Sequence, residues 1–183
     1  MAGLRVTGGE LRGRRLKVPR RPRDLRPTTE KVREAIFSIL GDVSGARVLD
    51  LFCGTGALAI EALSRGAANA TLVDRDTRAA LGNVRNLGLE ERAWLVRADV
   101  VRWVSDSAGR GDTYDLVFLD PPYKLAARLG PEIDKHLPRL LAEGGRVIVE
   151  SSAARPLALE SLPRLRERRY GGTLVAFHGE EAG

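Results

Sequence analysis

The sequence predicts an α/β fold: a doubly wound, mostly parallel sheet with an antiparallel hairpin at its C-terminal end and a small basic N-terminal extension. Three observations carry this prediction. Short apolar runs rich in Val, Leu and Ile alternate with stretches whose apolar residues recur at helical spacing, the pattern of parallel strands joined by right-handed helical crossovers. The last two runs, Arg164 to Tyr170 and Thr173 to His178, flank Gly171-Gly172 with no helix between them, which marks a hairpin. At 183 residues the chain is long enough for one domain with a substantial core and a small appendage.

The elements follow in order. Residues 1–27 hold nine Arg or Lys against Glu10 and Asp24, a net of +7, whereas the whole chain is +6, so residues 28–183 sum to −1. Such concentrated charge repels itself, and a polyanion relieves that cost; nucleic acid is the anion expected. The alternative is a basic, partly disordered tail serving solubility. Leu4, Val6, Leu11, Leu16 and Val18 are interspersed among the charges and Gly8-Gly9 offers a turn, so a small hairpin is expected, carrying Arg14, Arg15 and Lys17 on an exposed surface. After Arg26-Pro27-Thr28-Thr29, the spacing of Val32, Ala35, Ile36, Ile39 and Leu40 predicts a helix over 29–40 with Thr28 as N-cap, stopped by Gly41. Lys31 and Arg33 either extend the basic surface or lie on a solvated helix face.

Arg47 to Phe52 reads as a strand, Cys53-Gly-Thr-Gly56 as a tight turn and Ala57 to Ser64 as a helix ended near Gly66. A second strand, Ala70 to Val73, ends in Asp74; a helix marked by Ala79, Leu81, Val84 and Leu87 follows Asp76 as a possible N-cap. Trp94 to Val96 is a third strand, ending near Asp99, and a short helix runs through Val100, Val101 and Val104. Leu116 to Leu119 is the fourth strand. A helical region from about Leu125 to Leu141, started, bent or interrupted by Pro131 and Pro138, leads to a fifth strand at Arg146 to Glu150.

The chemistry concentrates where the fourth strand runs into Asp120-Pro-Pro-Tyr123. Proline fixes φ and lacks an N–H, so this loop presents a carboxylate, backbone carbonyls and an aromatic ring in a nearly rigid array. That array suits a flat base bearing an exocyclic amine: carboxylate and carbonyl each accept one N–H while the ring stacks. The bland alternative is that Pro-Pro merely ends a strand. Asp50, Gly54, Gly56, Asp74, Asp99 and Asp120 all fall at strand ends, the ligand-binding edge of such a sheet. Gly54 to Ala59 fits G-x-G-x-x-A with Asp74 twenty residues on, which raises a nicotinamide cofactor; Asp50 ahead of the turn would face a pyrophosphate unfavourably but an ammonium group favourably. S-adenosylmethionine supplies an ammonium. The glycines then admit its methionine moiety, Asp74 accepts from ribose hydroxyls and Asp99 from the adenine amine. Cys53, within the turn, reads as a packing residue.

The exclusions are brief. No run of eighteen apolar residues and no apolar N-terminal stretch occurs, so a soluble, cytoplasmic protein is expected. A lone cysteine and two histidines, His136 and His178, imply neither a disulfide framework nor a zinc cluster, and no metal is expected. A monomer is the default.

Asp50 to Gly56 followed by Asp120 to Tyr123 resembles S-adenosylmethionine-dependent methyltransferases that modify exocyclic amines. With Gly8-Gly9, Gly13-Arg14, Arg26-Pro27-Thr28, Arg33 to Phe37 and Glu61 to Ala67, nearly the whole chain resembles the bacterial RsmD family. The resemblance implies a Rossmann-like class I methyltransferase acting on guanine N2 of 16S ribosomal RNA in an assembling small subunit, with an extension that helps bind RNA. Cys53 stands where that family commonly has alanine. The candidate catalytic residues are Asp120, Pro121, Pro122 and Tyr123. Phe52, Arg75 and Val100 join Asp50, Gly54, Gly56, Asp74, Asp99 and Asp120 as candidate cofactor residues. Candidate RNA contacts are Arg12, Arg14, Arg15, Lys17, Arg20, Arg26, Thr28 and Arg33. The chemistry of the loop alone equally admits a DNA adenine-N6 or cytosine-N4 methyltransferase or a protein glutamine methyltransferase. A noncatalytic RNA-binding assembly factor is the alternative from a different class.

Overall fold

Apolar runs become central strands when both of their faces are covered, and here both are. In the computed structural model, which describes residues 4–19 and 28–180, the elements are α1 (Glu30–Leu40), β1 (Arg47–Leu51), α2 (Ala57–Ser64), β2 (Asn69–Asp74), α3 (Arg78–Leu87), β3 (Ala93–Arg97), α4 (Val100–Arg110), β4 (Tyr114–Leu119), α5 (Tyr123–Asp134), α6 (Leu137–Leu140), β5 (Leu141–Ser152), β6 (Arg164–Tyr170) and β7 (Thr173–Gly179). The sheet order is β3-β2-β1-β4-β5-β7-β6. β1 to β5 pair in parallel, and the β6–β7 hairpin adds antiparallel to β5. The chain leaves β1 in one direction and resumes at β4 in the other, so the topological switch lies between β1 and β4.

Alternation along each strand divides the core. Val48, Ala70, Leu72, Leu116, Phe118 and Ile148 face one layer, made with α1, α2 and α3. Leu49, Leu51, Val73, Val117, Leu119, Val147 and Val149 face the other, made with α4, α5 and α6. Burial of apolar side chains on both faces is the main favourable contribution to this arrangement.

The N-terminal segment is anchored rather than loose over residues 4–19. Val6 and Leu16 are buried in the first layer. A single antiparallel bridge joins Arg5 and Arg15, with Val6 N–H donating to Arg14 O at 3.0 Å and Leu16 N–H to Leu4 O at 2.7 Å. The tip presses onto the end of α2: Glu10 N–H donates to Ser64 O at 2.8 Å, and Gly9, at φ 76°, would place a Cβ 1.8 Å from that same carbonyl. No side chain fits there.

Three sequence expectations shift. Thr29, not Thr28, caps α1, its Oγ1 accepting from Val32 N–H at 3.3 Å. The region from Leu125 to Leu141 is two helices, because Pro138 in the first turn of α6 has no N–H to continue α5. β5 starts at Leu141, earlier than its apolar run suggests. Arg20 and Arg26 lie outside the described residues. Among those residues no helix is long and apolar enough to cross a membrane.

Candidate active site

The register of the sheet assembles the site. Leu51 pairs with Val73 and Leu119, and Leu119 with Val149, so Asp74 at the end of β2, Asp120 just past β4 and Glu150 within β5 come level with one another. The turn after β1 is tightly wound. Phe52 adopts φ 61°, an uncommon conformation for a bulky residue, while its N–H donates to Val73 O at 3.0 Å and Gly54 N–H to Asp74 Oδ2 at 3.0 Å. Gly56, at φ 76°, opens α2; a Cβ there would lie 2.9 Å from Leu72 Cδ2. The strained turn is held by the neighbouring strand and by Asp74.

A cavity of about 580 Å³ opens at these strand ends, lined by Phe52, Asp74, Arg75, Asp99, Val100, Val101 and Asp120, and on its far side by Pro121 to Leu125 and Leu129. Its volume lies in the range typical of small-molecule sites. Acceptors and apolar walls alternate around it, which fits the hydroxyls, exocyclic amine and flat ring of an adenosine. Asp99 is more engaged than its sequence position suggests. Its Oδ2 pairs with Arg75 and its Oδ1 caps α4 through Arg102 N–H at 3.1 Å, which holds its carboxyl below the usual range. Each oxygen keeps a second lone pair for a ligand.

Asp50, Gly54 and Gly56 do not line this cavity. Asp50 is buried beneath the turn, its Oδ2 accepting from Ala59 N–H at 3.1 Å, so it supports the turn and the start of α2. Burial, opposed by that bond, pushes its carboxyl up to about 7. Burial also pushes the Cys53 thiol up, with Asp50 and Asp74 adding to the effect, so this cysteine is a packed, weakly reactive group.

Asp120, Pro121, Pro122 and Tyr123 stand together at one wall. Pro122 O accepts from Leu125 and Ala126 N–H at 2.8 and 3.0 Å and so is consumed in starting α5; no such backbone bond claims Pro121 O among the described residues. The Asp120 carboxyl is pushed well above the usual range by burial first, then by Glu150 and Asp50. Tyr123 is 39% exposed and borders two cavities: the one above and a second of about 490 Å³, lined by Glu150 with Lys31, Arg169 and Tyr170.

Comparison with known proteins bears on the family and the fold. The model of a family described as conserved hypothetical protein 95 matches residues 4–179. YlbH of Bacillus subtilis strain 168, provisionally named an rRNA methyltransferase, is 39% identical over 184 residues, covering 96% of this chain and 98% of its own. Ribosomal RNA small subunit methyltransferase D of Escherichia coli K12 is 41% identical over 124 residues, covering 66% of this chain and 61% of that protein. The chain belongs to the RsmD family. A solved Escherichia coli structure, yhhF, provisionally titled a methyltransferase, superposes with a TM-score of 0.81 at 32% identity, covering 98% of this chain and 99% of that one. The fold is the Rossmann-like methyltransferase fold that the sequence predicts.

Two candidate RNA contacts of the sequence reading are corrected by burial. Arg33 is fully buried, donating to Thr28 O at 2.8 Å and to Arg5 O, with its Nε 3.6 Å from Glu61 Oε2. Glu61, also fully buried, accepts from Thr7 Oγ1 at 2.7 Å, Thr7 N–H at 2.9 Å, Gly8 N–H at 2.8 Å and Arg65 Nε at 2.9 Å. This pair ties the N-terminal segment to α1 and α2. Thr28 is buried as well, its hydroxyl donating to Glu150 Oε2 at 2.6 Å. Arg12, Arg14, Arg15 and Lys17 are exposed on the N-terminal segment.

Sequence reasoning missed Glu150, Arg169 and Tyr170. Glu150 carried the same signal as the other acids, a carboxylate at the end of an apolar strand. Arg169 and Tyr170 sit at the hairpin turn, and only the pairing of β7 with β5 brings them to the switch-point edge.

Proposed function

We propose that this protein transfers a methyl group from S-adenosylmethionine to the exocyclic N2 amine of a guanine in 16S ribosomal RNA. The observation that carries this proposal is the position of Asp120-Pro-Pro-Tyr123 on the border between two cavities, one with the acceptor set of an adenosine site and one opening beside basic side chains. Membership of the RsmD family and a named small-subunit rRNA methyltransferase among the relatives support ribosomal RNA as the substrate class.

The residues that would hold the cofactor are Asp74, Asp99, Phe52 and Val100, above the turn that Asp50, Gly54 and Gly56 shape. When bound, S-adenosylmethionine would supply a methyl group activated by its sulfonium charge, the electron pair of the S–CH3 bond staying with sulfur so that a neutral thioether leaves. Guanine N2 is a weak nucleophile because its lone pair is delocalised into the ring. Asp120 and Pro121 O accept its two N–H bonds and favour a pyramidal amine, while Tyr123 covers the ring face and fixes the line of attack. The new N–C bond leaves N2 positively charged and acidic, so loss of its proton needs no strong base. Asp120 works best ionised. Its raised affinity for a proton in the unliganded site therefore makes transfer faster as pH rises.

The target base must leave its stack, which costs a few kcal/mol in a helix and less in a loop. Phosphate contacts from Arg12, Arg14, Arg15 and Lys17 offset that cost. The test is transfer of labelled methyl to unmodified small-subunit particles, deproteinised 16S RNA and duplex DNA, followed by nucleoside mass analysis. N2-methylguanosine from particles or 16S RNA is expected. Label in DNA alone, or in no nucleic acid, overturns the proposal.

A further inference from the structure

The second cavity has a floor and a rim of different character. At its floor is Glu150, 5% exposed, in register beside the reaction loop because Leu119 pairs with Val149. Thr28 Oγ1 holds Glu150 Oε2 at 2.6 Å, and among the described residues no hydrogen bond engages Oε1. Oε1 is the Glu150 oxygen that Thr28 leaves to the cavity. Tyr123 forms the wall shared with the cofactor cavity, and the exposed Lys31 and Arg169 stand at the rim with the half-buried Tyr170. The cavity, about 490 Å³, accommodates a nucleobase with part of its ribose.

We propose that this cavity receives the flipped target nucleotide and that Glu150 Oε1 accepts the N1–H of guanine, making Glu150 the residue that selects guanine over adenine. This inference rests on the methyl-transfer proposal and extends it to base choice. Guanine alone among the common amine-bearing bases presents a ring N–H next to its exocyclic amine; adenine and cytosine present a ring lone pair there. With N2 held by Asp120 and Pro121 O, a base turned toward β5, the strand next to Asp120, brings its N1 to Glu150. A carboxylate accepts N1–H and repels a ring lone pair. Lys31 and Arg169 at the rim suit the flanking phosphates, and Tyr170 offers a stacking surface.

Burial raises the Glu150 carboxyl above its usual range, opposed by the Thr28 hydroxyl and then by the nearby Arg33 guanidinium. Thr28 and Arg33 thereby acquire a function although neither reaches the RNA. Thr28 holds the base-reading carboxyl in place, and both residues favour its charged form.

The test uses two RNAs that both carry an N2 amine: the natural substrate, and the same RNA with the modified guanosine replaced by 2-aminopurine, whose N1 is a lone pair. The full-length wild type is expected to prefer guanine by at least about a hundredfold in kcat/KM. Glu150→Gln, held by Thr28 through its amide oxygen, turns an N–H toward N1; its guanine preference should collapse by tenfold or more while S-adenosylmethionine affinity stays within about twofold. A guanine to 2-aminopurine ratio unchanged in Glu150→Gln overturns the assignment of Glu150 while leaving the methyl-transfer proposal standing. Absence of N2-methylguanosine with the wild type overturns the latter instead. Lys31→Ala with Arg169→Ala, both exposed, should weaken binding of the two RNAs equally and leave their ratio unchanged; unaltered RNA affinity would refute this cavity as the entry for the base.

Discussion

Asp50 offers the sharpest physical test because its environment sets a protonation state that can be measured without substrate. It is buried under the β1–α2 turn, its carboxyl accepts from Ala59 N–H, and burial lifts that carboxyl from 3.8 to about 7. A carboxyl whose affinity for protons rises on folding binds more protons in the native state between those two values, so stability from this group is fully present below about pH 4 and is lost as pH rises through about 7. Linkage over these values makes the loss about 4 kcal/mol in total, with about 3 kcal/mol of it between pH 5 and pH 8. Asp50→Asn keeps an oxygen for Ala59 N–H but never ionises. The difference in unfolding free energy between wild type and Asp50→Asn should therefore move by about 3 kcal/mol in favour of the variant from pH 5 to pH 8. With a urea dependence of about 2 kcal/mol per molar, the midpoints should shift relative to each other by more than about 1 M. Urea titrations followed by far-UV circular dichroism at several pH values measure this. Because other titrating groups are common to both proteins, a difference independent of pH would refute the reasoning outright.

Other outcomes follow from the same structure. Asp120→Asn should lower single-turnover methyl transfer by at least a hundredfold, with cofactor affinity within about tenfold, or ~1.4 kcal/mol. It should also abolish the rise of rate with pH that the elevated wild-type carboxyl imposes; a wild-type rate flat from pH 5 to pH 9 would contradict the role assigned to that group. Glu61→Gln leaves Arg33 buried without its counter-charge and should destabilise the fold by about 3–5 kcal/mol, read as a fall of about 10 °C in melting temperature. A change below 1 °C would mean that the N-terminal segment is not tied down by this pair. Replacing Arg12, Arg14 and Arg15 by Ala should reduce the salt dependence of RNA binding, a slope of log affinity against log salt shallower by about 2–3. An identical slope would show that these side chains do not meet the phosphates.

How far the sequence reaches is visible in single residues. Val48 to Leu51, Leu116 to Leu119 and the glycine turn declare themselves because periodicity, turn chemistry and strand-end acids are local properties, written in consecutive residues. Asp120-Pro-Pro-Tyr123 is legible for the same reason: proline stiffens its neighbours whatever surrounds them. The basic segment at the N-terminus is legible as charge, and its exposed Arg12, Arg14, Arg15 and Lys17 follow from it. Sequence thus determined the α/β class, the order of the elements, the candidate reaction loop and the candidate cofactor edge. Tertiary structure alone decided what each charge faces. Arg33 and Thr28 read as surface residues until α1 packs on the first layer and turns them inward, toward Glu61 and Glu150, which are 28 and 122 residues away in the chain from their respective partners. Asp50 looks like a ligand until the turn closes over it. Glu150, Lys31 and Arg169 come from three distant segments and meet only because β5 lies beside β4 and the C-terminal hairpin folds back along β5. Burial and long-range pairing are properties of the closed sheet, and no window of sequence contains them.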